Sequence, residues 1–157
     1  MKLITYTDNF QYDINQFELT EEQLKFVKSP KENLEMAKND ANRQPVFGIN
    51  EEGIPVVFFV LHLHSEFEHE FGVENSIYVR SFSTNNRYTK RGYAKQALQL
   101  MPAFIHQHYD NIDYITLLVD LPNEIAREMY IKQGFTQGKQ INGERYPAYC
   151  MIKKITQ

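Results

Sequence analysis

The chain has 157 residues and a formal charge of −3, a size suited to one domain and a balance that carries no general nucleic-acid signal. Its one cysteine, Cys150, excludes a disulfide framework and fits a reducing, cytoplasmic setting. The start "MKLITYTDNF" lacks the apolar core of a secretory signal, and the longest apolar run, "IPVVFFVL", falls far short of the roughly 20 residues of a membrane-spanning helix, so no membrane association is expected.

In chain order, "KLITYT" reads as a short strand, and "DNFQYDINQF" and "TEEQLKFV" as short helices. "SPKENLEMAKNDANRQ" carries a strong helix start: Ser29 can cap, Pro30 suits the first helical position, and Glu32 completes a capping box. "PVFGIN" and "IPVVFFVLHLH" are rich in β-branched and aromatic residues and are separated by "EEG", so a hairpin is expected. "NSIYVRSFST" is the next strand.

Beyond it the rhythm changes. Ala94, Ala97, Leu98, Met101 and Ile105 recur at helical spacing, with Pro102 expected to bend the helix. "YITLLV" is almost wholly apolar, as in a strand covered on both faces. Asn123 is placed as the cap of a helix bearing Ile125, Ala126, Met129 and Tyr130, which Gly134 closes. "FTQGKQ" and "RYPAYCMIKK" form a last strand pair around "NGE". The order β-α-α-β-β-β-α-β-α-β-β gives an α/β (α+β) fold. Its sheet is mixed and mostly antiparallel, with one parallel crossover through the segment before Ala94.

That segment, "RYTKRGYAKQAL", gathers Arg87, Lys90, Arg91 and Lys95 around Gly92 at a helix start. A helix N-terminus offers unpaired N–H groups and a positive dipole end, which together suit a phosphate. The small residues Gly92 and Ala94 admit a bulky anion close to the backbone. A solvated basic face is the alternative, although cations there oppose the dipole. A phosphate loop of the G-x-x-x-x-G-K-[ST] type and a G-x-G-x-x-G dinucleotide fingerprint are both absent.

"TKRGYA", Thr89 to Ala94, opens a helix after a strand, and "LLVDLPNEIAREMYIKQGF", Leu117 to Phe135, follows a strand with Asn and a short helix ending in Y-x-x-x-G-F. In both respects, and in their order, the chain resembles the GNAT N-acyltransferase superfamily. The resemblance implies a single N-acetyltransferase domain over 1–157, with flanking helices on a twisted sheet whose central parallel strands splay apart. It implies acetyl-CoA as cosubstrate, no metal, and a small-molecule amine as acceptor, with self-association into a homodimer left open. Thr89 stands where Gln or Arg is usual and Lys90 where Gly is common. A positive φ at Lys90 would be strained.

On this resemblance the backbone of Phe82, Ser83 and Thr84 pairs with the pantetheine arm. Thr89, Lys90, Arg91, Gly92, Tyr93 and Ala94 face the pyrophosphate, and Asn123, Ala126 and Tyr130 line the other side. Tyr130 is the candidate acid for the departing thiolate. Glu66 is the candidate base, from a segment, "HSEFEHEFG", whose His64, Glu66, Glu68, His69 and Glu70 would form an acidic mouth for a cationic amine. "LTEEQLKFVKSPKENLEMAK" with "PVFGINEEGIPVVFFVL" is similar to bacterial polyamine acetyltransferases. Glu21 and Glu22 would suit a polycation, and Tyr12, Phe17 and Phe26 would line an aliphatic slot or pack.

His62 and His64 alternate along a strand and are expected on one face, without an evident third metal ligand. Cys150 is expected in the core, and His106 and His108 near a helix end. Two other readings compete with catalysis: a catalytically inactive CoA-binding regulatory protein, and a nucleic-acid binder. The second would need cations and stacking aromatics spread along a groove.

Overall fold

The computed structural model describes residues 1–156. Strands β1 (Lys2–Thr5), β2 (Arg43–Ile49), β3 (Pro55–His62), β4 (Ser76–Thr84), β5 (Tyr114–Asp120), β6 (Thr136–Asn142) and β7 (Pro147–Lys154) form one sheet in the order β1-β2-β3-β4-β5-β7-β6. Only β4 and β5 pair in parallel. The crossover between them is α3 (Tyr93–His108), and α4 (Glu124–Lys132) follows β5. Two short helices, α1 (Glu21–Leu24) and α2 (Pro30–Ala37), lie between β1 and β2. The order of elements is the expected one.

Local chemistry explains most boundaries. Thr20 and Ser29 both form capping boxes, with Gln23 and Glu32 respectively, and Pro30 occupies the first turn of α2. Such a cap is worth about 1 kcal/mol. The β2–β3 turn closes as a hairpin because Asn50 Oδ1 accepts from the N–H groups of Glu52 and Ile54 while Gly53 takes φ 81°. Pro102 does not end α3. Helical pairing runs on to His108, and Ala97, Leu98, Met101, Phe104 and Ile105 are buried against the sheet.

Two expectations fail. "DNFQYDINQF" holds only one 3-10 turn, Ile14–Gln16, where Asp13 accepts from the Asn15 N–H. Phe10, Ile14 and Phe17 stand at helical spacing, but contacts with the sheet override it. Phe10 packs on Phe47 with tilted rings, centroids 4.9 Å apart, and Tyr12 packs on Phe10 at 5.3 Å. Phe17 joins the same core beside Phe58. The second failure is the shared face of His62 and His64. The strand ends at His62, and His64 turns away with φ 55° to meet Glu68 at 3.1 Å. Among the described residues, no group of three or more His, Cys, Asp or Glu side chains has a metal-binding arrangement. Among them also, no helix is long and apolar enough to cross a membrane.

Candidate active site

β4 and β5 pair only at their first residues, Ser76–Tyr78 against Tyr114–Thr116. The Thr116 hydroxyl donates to the Ile77 carbonyl at 3.3 Å near the last paired level. Beyond it the strands part, because β4 carries a bulge. Arg80 faces Val60 and Ser83 faces Phe58, which leaves Ser81 and Phe82 opposite Phe59 alone. Ser81 pays for this with φ 56°, a region costly for a residue with a Cβ.

The opening is a cleft of about 620 Å³. Phe82, Ser83 and Thr84 line one wall, and Leu117, Val119 and Asp120 the other. A strand without its neighbour presents N–H and C=O groups that an extended, amide-bearing ligand can pair with. One of these is already engaged: the Thr84 carbonyl accepts from Gln23 Nε2 at 2.9 Å. Ser83 is buried, and its hydroxyl has no partner among the described residues. An unmade buried hydrogen bond costs about 1–3 kcal/mol, which a bonded ligand would remove.

At one end of the cleft, Gly92 caps α3 with φ 82° and no side chain bonds to the exposed amides. Gln96 N–H is the donor to the Gly92 carbonyl, so the amides of Tyr93, Ala94 and Lys95 precede the helical ladder and are free for a ligand. A Cβ on Gly92 would meet nothing within 4 Å, so this face is open. Lys90 takes the positive φ anticipated for it, 63°. Gly92 shares that sign of φ, and left-handed residues in such turns are what lets successive N–H groups form an anion-binding concavity. The Arg91 guanidinium lies 5.0 Å over the Tyr88 ring. Thr89 and Ala94 face the cleft, and the Thr89 hydroxyl donates to the Asn86 carbonyl at 3.3 Å. The residues present fit a diphosphate-bearing, amide-bearing cosubstrate.

Asn123, Ala126 and Tyr130 also line the cleft. Asn123 sits at the cap position of α4 but makes no side-chain cap, which leaves its amide for a ligand. Tyr130 is 6% exposed, its ring held between Phe82 at 6.1 Å and Phe135 at 5.6 Å. Burial, and then the charge of Asp120, push the phenol far above its ordinary pKa, so it keeps its proton. Burial also raises Asp120, to about 6, against the pull of Arg145. A phenol that stays protonated and a carboxylate that titrates near neutrality therefore share one cavity. Divergent pKa values of this kind separate acid from base roles.

Glu66 is placed elsewhere. Arg80 donates to it through Nη1 at 2.6 Å and Nη2 at 3.2 Å. Burial alone would raise its pKa, but the bonds and charge of Arg80 outweigh that and hold it low. A carboxylate so engaged is a poor proton acceptor, and Glu66 is not on the cleft wall. The acidic mouth is likewise spoken for: Glu68 meets His64 and Glu70 meets Lys139 at 3.0 Å. The cleft acids are instead Glu22, Asp120, Glu124 and Glu144. Of the aromatic residues expected near an acceptor, only Phe26 is on the wall, while Tyr12 and Phe17 pack in the core.

The far side of the cleft is closed by the turn between β6 and β7. Its Tyr146 ring packs on Phe26 at 5.6 Å, and Arg145 donates to the Leu24 carbonyl at the end of α1.

A model of the acetyltransferase (GNAT) family matches residues 11–135. The chain belongs to the GNAT acetyltransferase family. It is 33% identical over 124 residues to an uncharacterized N-acetyltransferase, YbbJ, of Bacillus subtilis, covering 78% of this chain and 77% of that one. AAC(6')-Ib in complex with paromomycin and acetyl-CoA has the same fold at a TM-score of 0.76 and 12% identity, over 97% of this chain and 92% of that one. The spermidine N-acetyltransferase of Vibrio cholerae, a dodecamer, aligns at a TM-score of 0.59 and 14% identity, over 77% and 70%.

This GNAT protein is thus an acetyl-CoA-dependent N-acetyltransferase. Three of its cleft residues escaped sequence reasoning. Asp120 is the lone acid of "YITLLVD" and lies where the strand of a parallel crossover ends, a place where α/β sheets put ligands. Arg80 is the lone cation of "SIYVRSFST", an apolar strand with no visible reason for a charge. Glu144, in "NGE", carries no signal beyond its place in a turn.

Proposed function

We propose that this acetyltransferase passes the acetyl group directly from acetyl-CoA to a primary amine of a small cationic acceptor, both bound in one ternary complex. The observation that supports this most is that Tyr130 and Asp120 share a single cleft with the α3 amides and with the β6–β7 turn. The α3 end suits the diphosphate, and the acid-rich side, beneath Phe26 and Glu144, suits an amine. Acetyl-CoA supplies the activated thioester. The protein has to orient it, deprotonate the amine and protonate the thiolate.

An alkyl ammonium of pKa near 10.4 is neutral in roughly one molecule per few thousand at pH 7, a penalty of about 4–5 kcal/mol. Asp120, ionised at that pH and without a hydrogen-bond partner among the described residues, is the group we assign to take the proton, directly or through water. It replaces Glu66 in that role. The Tyr130 hydroxyl then donates to the departing sulfur. The carboxylate missing from β4, which would favour an inactive CoA-binding protein, is supplied by β5 instead. The buried thiol Cys150 is compatible with a reducing cytoplasm, where we place the reaction.

The test is release of free thiol from acetyl-CoA with a panel of amines, varying both substrates. Direct transfer gives intersecting double-reciprocal lines. Parallel lines, the mark of a covalent acetyl-enzyme, would exclude it.

A further inference from the structure

Arg80 lies mid-strand, lines the cleft and is 6% exposed. A buried guanidinium requires compensation. Besides the paired bonds to Glu66, its Nη1 donates to His62 Nδ1 at 3.0 Å and its Nη2 donates to Glu144 Oε1. His62 is itself fixed. With Nδ1 accepting, its proton sits on Nε2, 3.4 Å from Asp40 Oδ2. Five side chains from separate parts of the chain thus meet: Asp40 before β2, His62 from β3, Glu66 from the following loop, Arg80 from β4 and Glu144 from the β6–β7 turn.

The charges do not balance. Arg43 pairs with Asp40 at 3.1 Å and Glu66 neutralises Arg80, so Glu144 is a surplus negative charge held at the cleft wall. Arg145 forms no ion pair with Glu144: its side chain donates to the Leu24 carbonyl, and its charge is felt at Asp120. Asp120 is close by: a Cβ on Gly143 would lie 3.7 Å from its Oδ1. A reacting ammonium gives its proton to Asp120. A second ammonium on the same acceptor stays charged throughout and needs its own counter-charge.

We propose that Arg80 is a positioning residue that sets the Glu144 carboxylate over the acceptor side of the cleft, and that Glu144 selects acceptors carrying a second positive charge. This rests on the transfer reading above. Arg80 draws its effect from geometry: its rigid planar fork fixes the directions of its bonds to Glu66 and Glu144, which the rotatable ammonium of a lysine does not.

The experiment compares kcat/KM for an α,ω-diaminoalkane and for the alkylamine of equal chain length, in wild type, Glu144→Gln, Arg80→Lys and His62→Gln. Wild type should favour the diamine at least tenfold. Glu144→Gln, whose amide oxygen still accepts from Arg80, should cut that preference about tenfold through the acceptor KM rather than kcat. Arg80→Lys should move the same ratio in the same direction. His62→Gln, which can accept from Arg80, should retain the preference, and His62→Phe should not. Thermal melts establish which variants fold, and Glu144→Gln at the surface carries the test alone if Arg80→Lys does not. Equal wild-type turnover of the two amines, or an unchanged ratio in Glu144→Gln, overturns the inference. Absence of thiol release with every amine in folded wild type would instead overturn the transfer reading.

Discussion

Asp120, at the end of β5, bears on Tyr130 in α4: its charge adds to burial in keeping the phenol protonated, while burial lifts Asp120 itself to about 6. Asp120 thus helps to hold the phenol in its protonated form, while burial sets its own titration.

Tyr130→Phe keeps the ring between Phe82 and Phe135 and removes the donor. Turnover should fall about 10²–10⁴-fold, the scale of a positioned acid, with acetyl-CoA affinity and melting temperature close to wild type. An acyl donor with a better leaving group should recover much of the loss. Wild-type turnover in a folded Tyr130→Phe protein would leave the thiolate to take its proton from water.

Asp120 makes two pH statements. With a base of pKa about 6, kcat/KM should rise through that pH and level off above it, and Asp120→Asn should lose the limb together with most of the rate. Stability runs the other way. The folded carboxyl binds its proton more tightly than the unfolded one, so stability is lost as pH rises from the ordinary carboxylate value of 3.8 to about 6. Asp120→Asn should therefore stabilise the protein by on the order of 1–2 kcal/mol at pH 7, once solvent contact is discounted, and by little at pH 4. Equal melting temperatures of wild type and variant at pH 7 would contradict the burial cause.

Two residues of the turn that leads into α3 sit at positive φ, and they should respond oppositely. Lys90→Gly relieves a left-handed lysine and should raise stability by about 0.5–1 kcal/mol. Gly92→Val imposes a β-branched residue at φ 82° and should both lower the melting temperature and weaken CoA binding. Isothermal titration and melting curves read both. Unchanged CoA affinity in folded Gly92→Val would remove this turn from the binding site.

Arg91 separates charge from backbone. Arg91→Ala should weaken CoA binding and flatten its dependence on salt, because an exposed phosphate contact is screened by ions. A salt slope equal to wild type would mean that the guanidinium rests on Tyr88 and contacts no phosphate.

Sequence conveyed the scaffold well where local rules dominate. Ser29-Pro30-x-Glu32 could hardly be other than a helix start, and the glycines at 92 and 134 mark turns that only positive φ can make. It misled where tertiary contacts decide. Phe10 shares a helical spacing with Ile14 and Phe17, yet it packs on Phe47, which lies far away in the chain, and Tyr12 packs on Phe10. Glu66 looked like a base because it lies near the site in sequence, but a guanidinium from the neighbouring strand captures it. The pairing of Arg80 with Glu144 joins residues 64 positions apart, and no spacing rule reaches that far. Asp120 was readable as a strand end, yet its pKa depends on burial that only the folded sheet creates.

The slip at Ser81 makes the catalytic opening a matter of parity. One extra residue in β4 breaks the alternation that would otherwise let the strand keep zipping onto β5. Deleting Ser81 should restore that alternation and let hydrogen bonding continue past Tyr78, giving a sheet with one more run of paired backbone and no room for a cosubstrate. Such a deletion protein should melt no lower than wild type while failing to bind CoA. The reactive shape of this molecule would then depend on a single residue of misregister in an otherwise ordinary sheet.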